Sequence, residues 1–137
     1  MKKLVGIASV LALLVSATPA IAMEIQSENA AVAVASIISD SRTLEPEEKY
    51  ETSTFRASSN TLTLTVDQSS DGSTTHIKYT LWDDTGNQVG KVFNVKKNGT
   101  ASTTWDVKKG KKYTLEMLNR STHNGIFIEA TTDFSIE

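Results

Sequence analysis

The sequence predicts an all-β protein, and three observations carry that expectation. From Tyr50 onward, apolar and polar residues alternate with a period of two in short runs rich in β-branched and aromatic side chains. Clusters of turn-forming residues separate the runs: ASSN, QSSDGS, DDTGNQ, KKNG, KKGK and RSTHN. No long helical period and no internal repeat competes with this pattern. Short strands at such spacing argue for an antiparallel β-sandwich of about seven strands, immunoglobulin-like or jelly-roll-like.

The first element is not part of the sandwich. Lys2 and Lys3 precede an apolar run from Leu4 to Val15, followed by Pro19 and the small-x-small triplet Ala20-Ile21-Ala22. This is the pattern of a secretory signal peptide over residues 1–22, cleaved after Ala22. The apolar run is shorter than the ~20 residues a transmembrane helix needs, so no stable span is expected after cleavage. Loss of Lys2 and Lys3 moves the formal charge from -2 to -4. A weakly acidic chain is a poor partner for nucleic acid, whose binding rests on concentrated positive charge. The chain has no cysteine, so its stability must come from packing rather than disulfides. Export without cysteine and an MKK opening suggest a bacterial, most simply Gram-positive, secreted protein.

Residues 23–49 form the second element, an acidic arm, linker or propeptide. Up to residue 51, Glu24, Glu28, Asp40, Glu45, Glu47, Glu48 and Glu51 face only Arg42 and Lys49. Within this stretch NAAVAVASIISD reads as a short helix or an extra strand, and SRTLEPEEKYE as a polar connector.

The sandwich domain is expected over residues 50–137. Strands are expected from Tyr50 to Phe55, Thr61 to Asp67, His76 to Trp82, Val89 to Val95, Thr100 to Val107, Lys112 to Asn119 and Gly125 to Ile136. Alternation assigns one face of each strand to the core. These inward residues are Leu62, Leu64 and Val66; Ile77, Tyr79 and Leu81; Ala101, Thr103, Trp105 and Val107; Tyr113, Leu115 and Met117; and Ile126, Ile128, Ala130, Phe134 and Ile136. Trp82, Leu118 and Phe127 are left on the outward faces.

The lysines gather at turns. Asn98-Gly99 is a strong hairpin signal between the fourth and fifth strands, and Gly110 is expected to close the next hairpin at the far end of the fifth. Lys96 and Lys97 are then separated by some 20 Å from Lys108, Lys109, Lys111 and Lys112. Screening acts over about 8 Å, so the groups do not form one patch. Each discourages edge-to-edge aggregation, and the second group doubles as a candidate anion-binding loop.

Chemical constellations are sparse. Nucleophilic catalysis needs a positioned base beside a Ser, Thr or Cys; the chain has no cysteine and no GxSxG motif, and its two histidines, His76 and His123, read as surface side chains. Two histidines without near partners do not make a zinc site. The loops holding Asp67, Asp71 and Ser73, and Asp83, Asp84 and Asn87, are oxygen-rich, which makes Asp67, Asp71, Asp83 and Asp84 weak calcium candidates. The same residues are what turns use, so no metal and no cofactor is assigned. Asp83 and Asp84 are adjacent and tend to point apart, which suits a glycosidase pair badly. Asn98-Gly99-Thr100 and Asn119-Arg120-Ser121 are sequons that matter only in a eukaryotic secretory route.

The segments YTLWDDTGNQVG and GKKYTLEMLN, with Tyr79, Leu81, Asp83, Gly86, Gly110, Tyr113, Leu115 and Asn119 in register, resemble small secreted bacterial β-sandwich domains. Their rhythm is similar to that of pre-peptidase C-terminal domains, over about Phe55 to Ile136. The resemblance implies a non-catalytic fold that assists secretion, adhesion or carbohydrate binding.

The functional expectation is a secreted, non-enzymatic β-sandwich binding a polysaccharide or cell-wall polymer at the cell surface or matrix. Exposed rings at Trp82 and Phe127 would contact the ligand, assisted by Lys108, Lys109, Lys111 and Lys112. The alternatives are an exported antimicrobial or toxin-like effector whose N-terminal arm is a propeptide, and a self-assembling matrix or coat subunit.

Overall fold

The computed structural model describes residues 36–72 and 74–137. The signal sequence, its cleavage point and the Ala-Val stretch up to residue 35 lie outside the described residues. Eleven strands follow in order: β1 (Ile38–Leu44), β2 (Lys49–Glu51), β3 (Phe55–Arg56), β4 (Thr61–Ser69), β5 (Ile77–Asp83), β6 (Gln88–Val95), β7 (Gly99–Asp106), β8 (Lys112–Asn119), β9 (Thr122–His123), β10 (Ile126–Phe127) and β11 (Ala130–Ile136). The described residues contain no helix.

They assemble into two antiparallel sheets, one in the order β1-β11-β4-β7 and one in the order β2-β8-β5-β6, with β3 also on β8; β9 and β10 make a small ribbon. Period-two burial on β4, β8 and β11 turns Leu62, Leu64, Val66, Tyr113, Leu115, Met117, Phe134 and Ile136 into the space between the sheets. Ile77, Tyr79 and Leu81 meet them from β5, and Trp105 from β7. The expected core is therefore the observed one along these strands. Ala101 and Val107 pack against it while half-buried, and Thr103 is half-buried too.

Three expectations are corrected. Ile126 was expected in the core, yet it is 70% exposed. The run from Gly125 to Ile136 is two strands with a break at Ile128 and Glu129, and a break resets which side of the sheet a residue faces. The hairpin expected at Asn98-Gly99 is a crossover, because β6 and β7 are edge strands of different sheets. The Asn-Gly hairpin is instead Asn124-Gly125, where both residues have positive φ (52° and 81°), the type I′ geometry, between β9 and β10. The turn at Gly110 also changes sheets, from β7 to β8.

The stretch expected as a connector contains two strands: Ser41 to Leu44 complete β1, and Lys49–Glu51 form β2. β1 pairs with β11 over seven residues and seats Leu44 in the core with 1% exposure. Its alternation is masked because Ser39, Asp40, Ser41, Arg42 and Thr43 all remain exposed along an edge strand.

Candidate functional site

β5 and β8 are the central strands of the second sheet, and their outward residues form its solvent face. Trp82 on β5 lies opposite Thr114 of β8 on one side and Gln88 of β6 on the other. Two residues along the strands, Thr80 lies opposite Glu116, which in turn lies opposite Glu51 of β2. Trp82, Thr114, Glu51 and Glu116, with Thr54, Asp83, Asp84, Gly86, Lys112 and Tyr113, line a surface groove of about 610 Å³.

Trp82 is half-buried, and its Nε1 is fully enclosed with no hydrogen-bond partner among the described residues. An unpaired buried N–H costs roughly 1–3 kcal/mol. The polar edge of the indole is thus turned into the protein, and the surface it gives the groove is ring carbon.

The groove is rich in carboxylates. Glu51 and Glu116 occupy directly opposed positions, an arrangement that is unfavourable for like charges. Lys49 Nζ approaches Glu116 Oε2 at 3.6 Å. Glu51, Asp84 and Lys112 have no ion-pair partner among the described residues. Asp83 is committed to its own turn: its Oδ1 accepts from the Thr85 amide at 2.9 Å, the Thr85 hydroxyl at 2.7 Å and the Asn87 amide at 2.9 Å. These bonds hold its carboxyl below the usual carboxylate range, the Asn87 amide foremost and the nearby Lys111 charge least.

The other calcium candidates do not join it. Asp67 stands on β4 in the first sheet, opposite Asp133 and Thr100, and Asp71 lies exposed in the loop after β4. Among the described residues no group of three or more histidines, aspartates or glutamates is arranged to hold a metal. His76 Nε2 lies 3.1 Å from Asn94 Oδ1, and His123 is exposed in the small ribbon.

Phe127 lies elsewhere. It pairs with Thr122 in the ribbon beyond the far end of β8, about 17 Å along that strand from Thr114. The Arg120 guanidinium sits 5.2 Å from its ring centroid, so one contact of that ring is already taken. Of the four lysines expected to assist, only Lys112 lines the groove. Lys108 and Lys111 border a neighbouring pocket with Asp83 and Asp106. Lys109 is exposed, its backbone amide held by Asn60 Oδ1 at 3.0 Å. The turn is pinned from below: Gly110, at φ +86°, donates its amide to Ala57 O and accepts from Arg56 Nη1 at 2.7 Å.

The groove residues missed by the sequence reading are Glu51, Thr54, Thr114 and Glu116. The outward phase of Thr114 and Glu116 was available from the alternation of KYTLEMLN. That β2 lies against β8, bringing Glu51 to Glu116, had no local signal.

No protein-family model and no curated protein matches the chain. Among solved structures it is similar to PliG of Aeromonas hydrophila, a periplasmic inhibitor of g-type lysozyme, with a TM-score of 0.43 at 13% identity, covering 73% of this chain and 85% of that one. It is similar to AlgX of Pseudomonas aeruginosa, with a TM-score of 0.49 at 12% identity over 77% of this chain and 27% of that one. It is also similar to the CBM22-1 and GH10 modules of Clostridium thermocellum endo-1,4-β-D-xylanase 10B, solved with xylohexaose, with a TM-score of 0.44 at 14% identity over 74% of this chain and 28% of that one.

Proposed function

We propose that the protein is an exported, non-enzymatic binding module that holds a polysaccharide or wall polymer at the cell surface or matrix through the Trp82 groove. The observation that carries this reading is the hydrocarbon of Trp82 lying in an open groove among hydrogen-bonding groups of both signs. A sugar ring has an apolar face and a polar rim, and an aromatic surface flanked by carboxylates, hydroxyls and an ammonium complements both. Phe127 and the turn lysines other than Lys112 fall outside this reading.

The propeptide alternative is disfavoured by packing. Release of residues up to 51 would remove β1 and β2, including the buried Leu44. N-terminal sequencing of the exported protein is expected to give a start near Met23; a start near Thr52 would support the toxin-like reading.

Co-sedimentation with insoluble polysaccharides and purified cell walls tests the binding reading. Wild type is expected to pellet, and Trp82→Ala to lose at least about tenfold in affinity. Because Trp82 is half-buried, Thr54→Arg serves as a second variant that fills the groove from an exposed position without opening the core. Pelleting retained by both folded variants would sink the proposal.

A further inference from the structure

The groove's charge narrows the ligand class, and this step rests on the binding reading just given. Four carboxylates line it, from Glu51, Asp83, Asp84 and Glu116, against the single ammonium of Lys112. Asp83 spends one oxygen on its turn, and Glu116 has Lys49 beside it. Glu51 and Asp84 remain without a cationic partner among the described residues.

Glu51 and Glu116 are also cross-strand neighbours on one face, and opposed like charges in that position repel. A cation set between them removes that repulsion as well as making its own contacts. Trp82 adds an aromatic surface whose π-system attracts cations. Phosphate-rich or uronate polymers meet the opposite field and are disfavoured.

We propose that the groove selects amine-bearing glycans, polymers containing glucosamine rings with a free protonated amine, over their N-acetylated or anionic counterparts. The ring stacks on Trp82, and its ammonium lies between Glu51 and Glu116. Hydroxyls of the ring are left to Thr54 and Thr114, both in the groove lining, whose own hydroxyls lie 3.4 Å apart. A glycan is favoured over a basic peptide because the acids stand beside the hydroxyls of Thr54 and Thr114 and the indole of Trp82.

The test is titration calorimetry with β1,4-linked glucosamine hexamer, its N-acetylated form and a lysine hexamer, on wild type, Glu51→Gln and Thr54→Arg. Glu51→Gln relieves the Glu51–Glu116 opposition, so the fold is expected to persist. The amine hexamer should bind about tenfold tighter than the acetylated one, and Glu51→Gln should remove that advantage, the scale of one hydrogen bond to a charged group. Thr54→Arg should block both sugars. Equal binding of the two sugars, indifferent to Glu51→Gln, would overturn the amine selectivity and leave the groove reading standing. Binding of the lysine hexamer alone, lost in Glu51→Gln, would replace the glycan with a basic peptide. Loss of all three ligands together with the cell-wall pelleting would overturn the groove reading itself.

Discussion

Single residues decide how this cysteine-free core stays specific. Asn119 is fully buried, and the two hydrogens of its Nδ2 are shared among three carbonyls within hydrogen-bond distance, Leu44 O, Glu45 O and Ile128 O, while its Oδ1 accepts from the Ser121 amide. It ties the β1–β2 turn and the approach to β11 to the end of β8, and a sequon position with no exposure is closed to glycosylation. Asn119→Ala strands several backbone groups and is expected to lose about 3 kcal/mol or more in urea unfolding. Tyr79 plays a similar part between the sheets: its hydroxyl donates to Gln68 Oε1 at 2.9 Å and lies 2.8 Å from Thr132 Oγ1, and Gln68 Nε2 continues to Val95 O and Lys97 O. Burial pushes the Tyr79 hydroxyl well above its ordinary value, the Thr132 bond opposing this. With the folded value raised, the unfolded chain releases this proton first, so its contribution is intact below about pH 10 and falls above it by about 1.4 kcal/mol per pH unit. Tyr79→Phe should flatten that alkaline decline in a pH series of unfolding curves while costing about 1–3 kcal/mol near neutrality.

At the scale of elements, the strands were more legible than their connections. Alternation located β4 to β8 within one or two residues, because each presents one face to a core. The connections misled because turn residues report a change of direction and not which sheet receives the next strand. β6 shows what tertiary contact adds. Its register against β5 shifts between Tyr79 and Leu81, and Gly90 there has φ +64°, with a built Cβ falling 2.9 Å from Trp105 Cδ1. The bulge lets β6 receive the β7 indole, whose Nε1 donates to Lys91 O at 3.0 Å and links the edges of the two sheets. Gly90→Ala meets both backbone strain and the indole, and is expected to lower stability by roughly 1–3 kcal/mol with a change in Trp105 fluorescence.

The whole molecule depends on a strand that composition disguises. β1 covers one edge of β11, and Leu44 is among the most enclosed side chains. A chain beginning at Tyr50 would bare the β11 edge, lose Leu44 and deprive Asn119 of two acceptors. Such a truncation is expected to unfold or aggregate where one beginning at Ser36 folds cooperatively, which circular dichroism and light scattering would distinguish. The two lysine clusters remain at opposite ends of β7, eight residues and about 26 Å apart, so they do not join into one basic patch.

The sequence by itself determined the fold class, the facing of most core residues and the outward placement of Trp82, since alternation and turn chemistry are local consequences of a pleated backbone. Only the tertiary structure decided that Glu51 meets Glu116 beside Trp82, that Phe127 is remote, and that Ile38–Leu44 is a strand. Those facts depend on which strands become neighbours, and pairing between segments far apart in the chain is set by how two sheets close over one core, for which no single segment carries a signal.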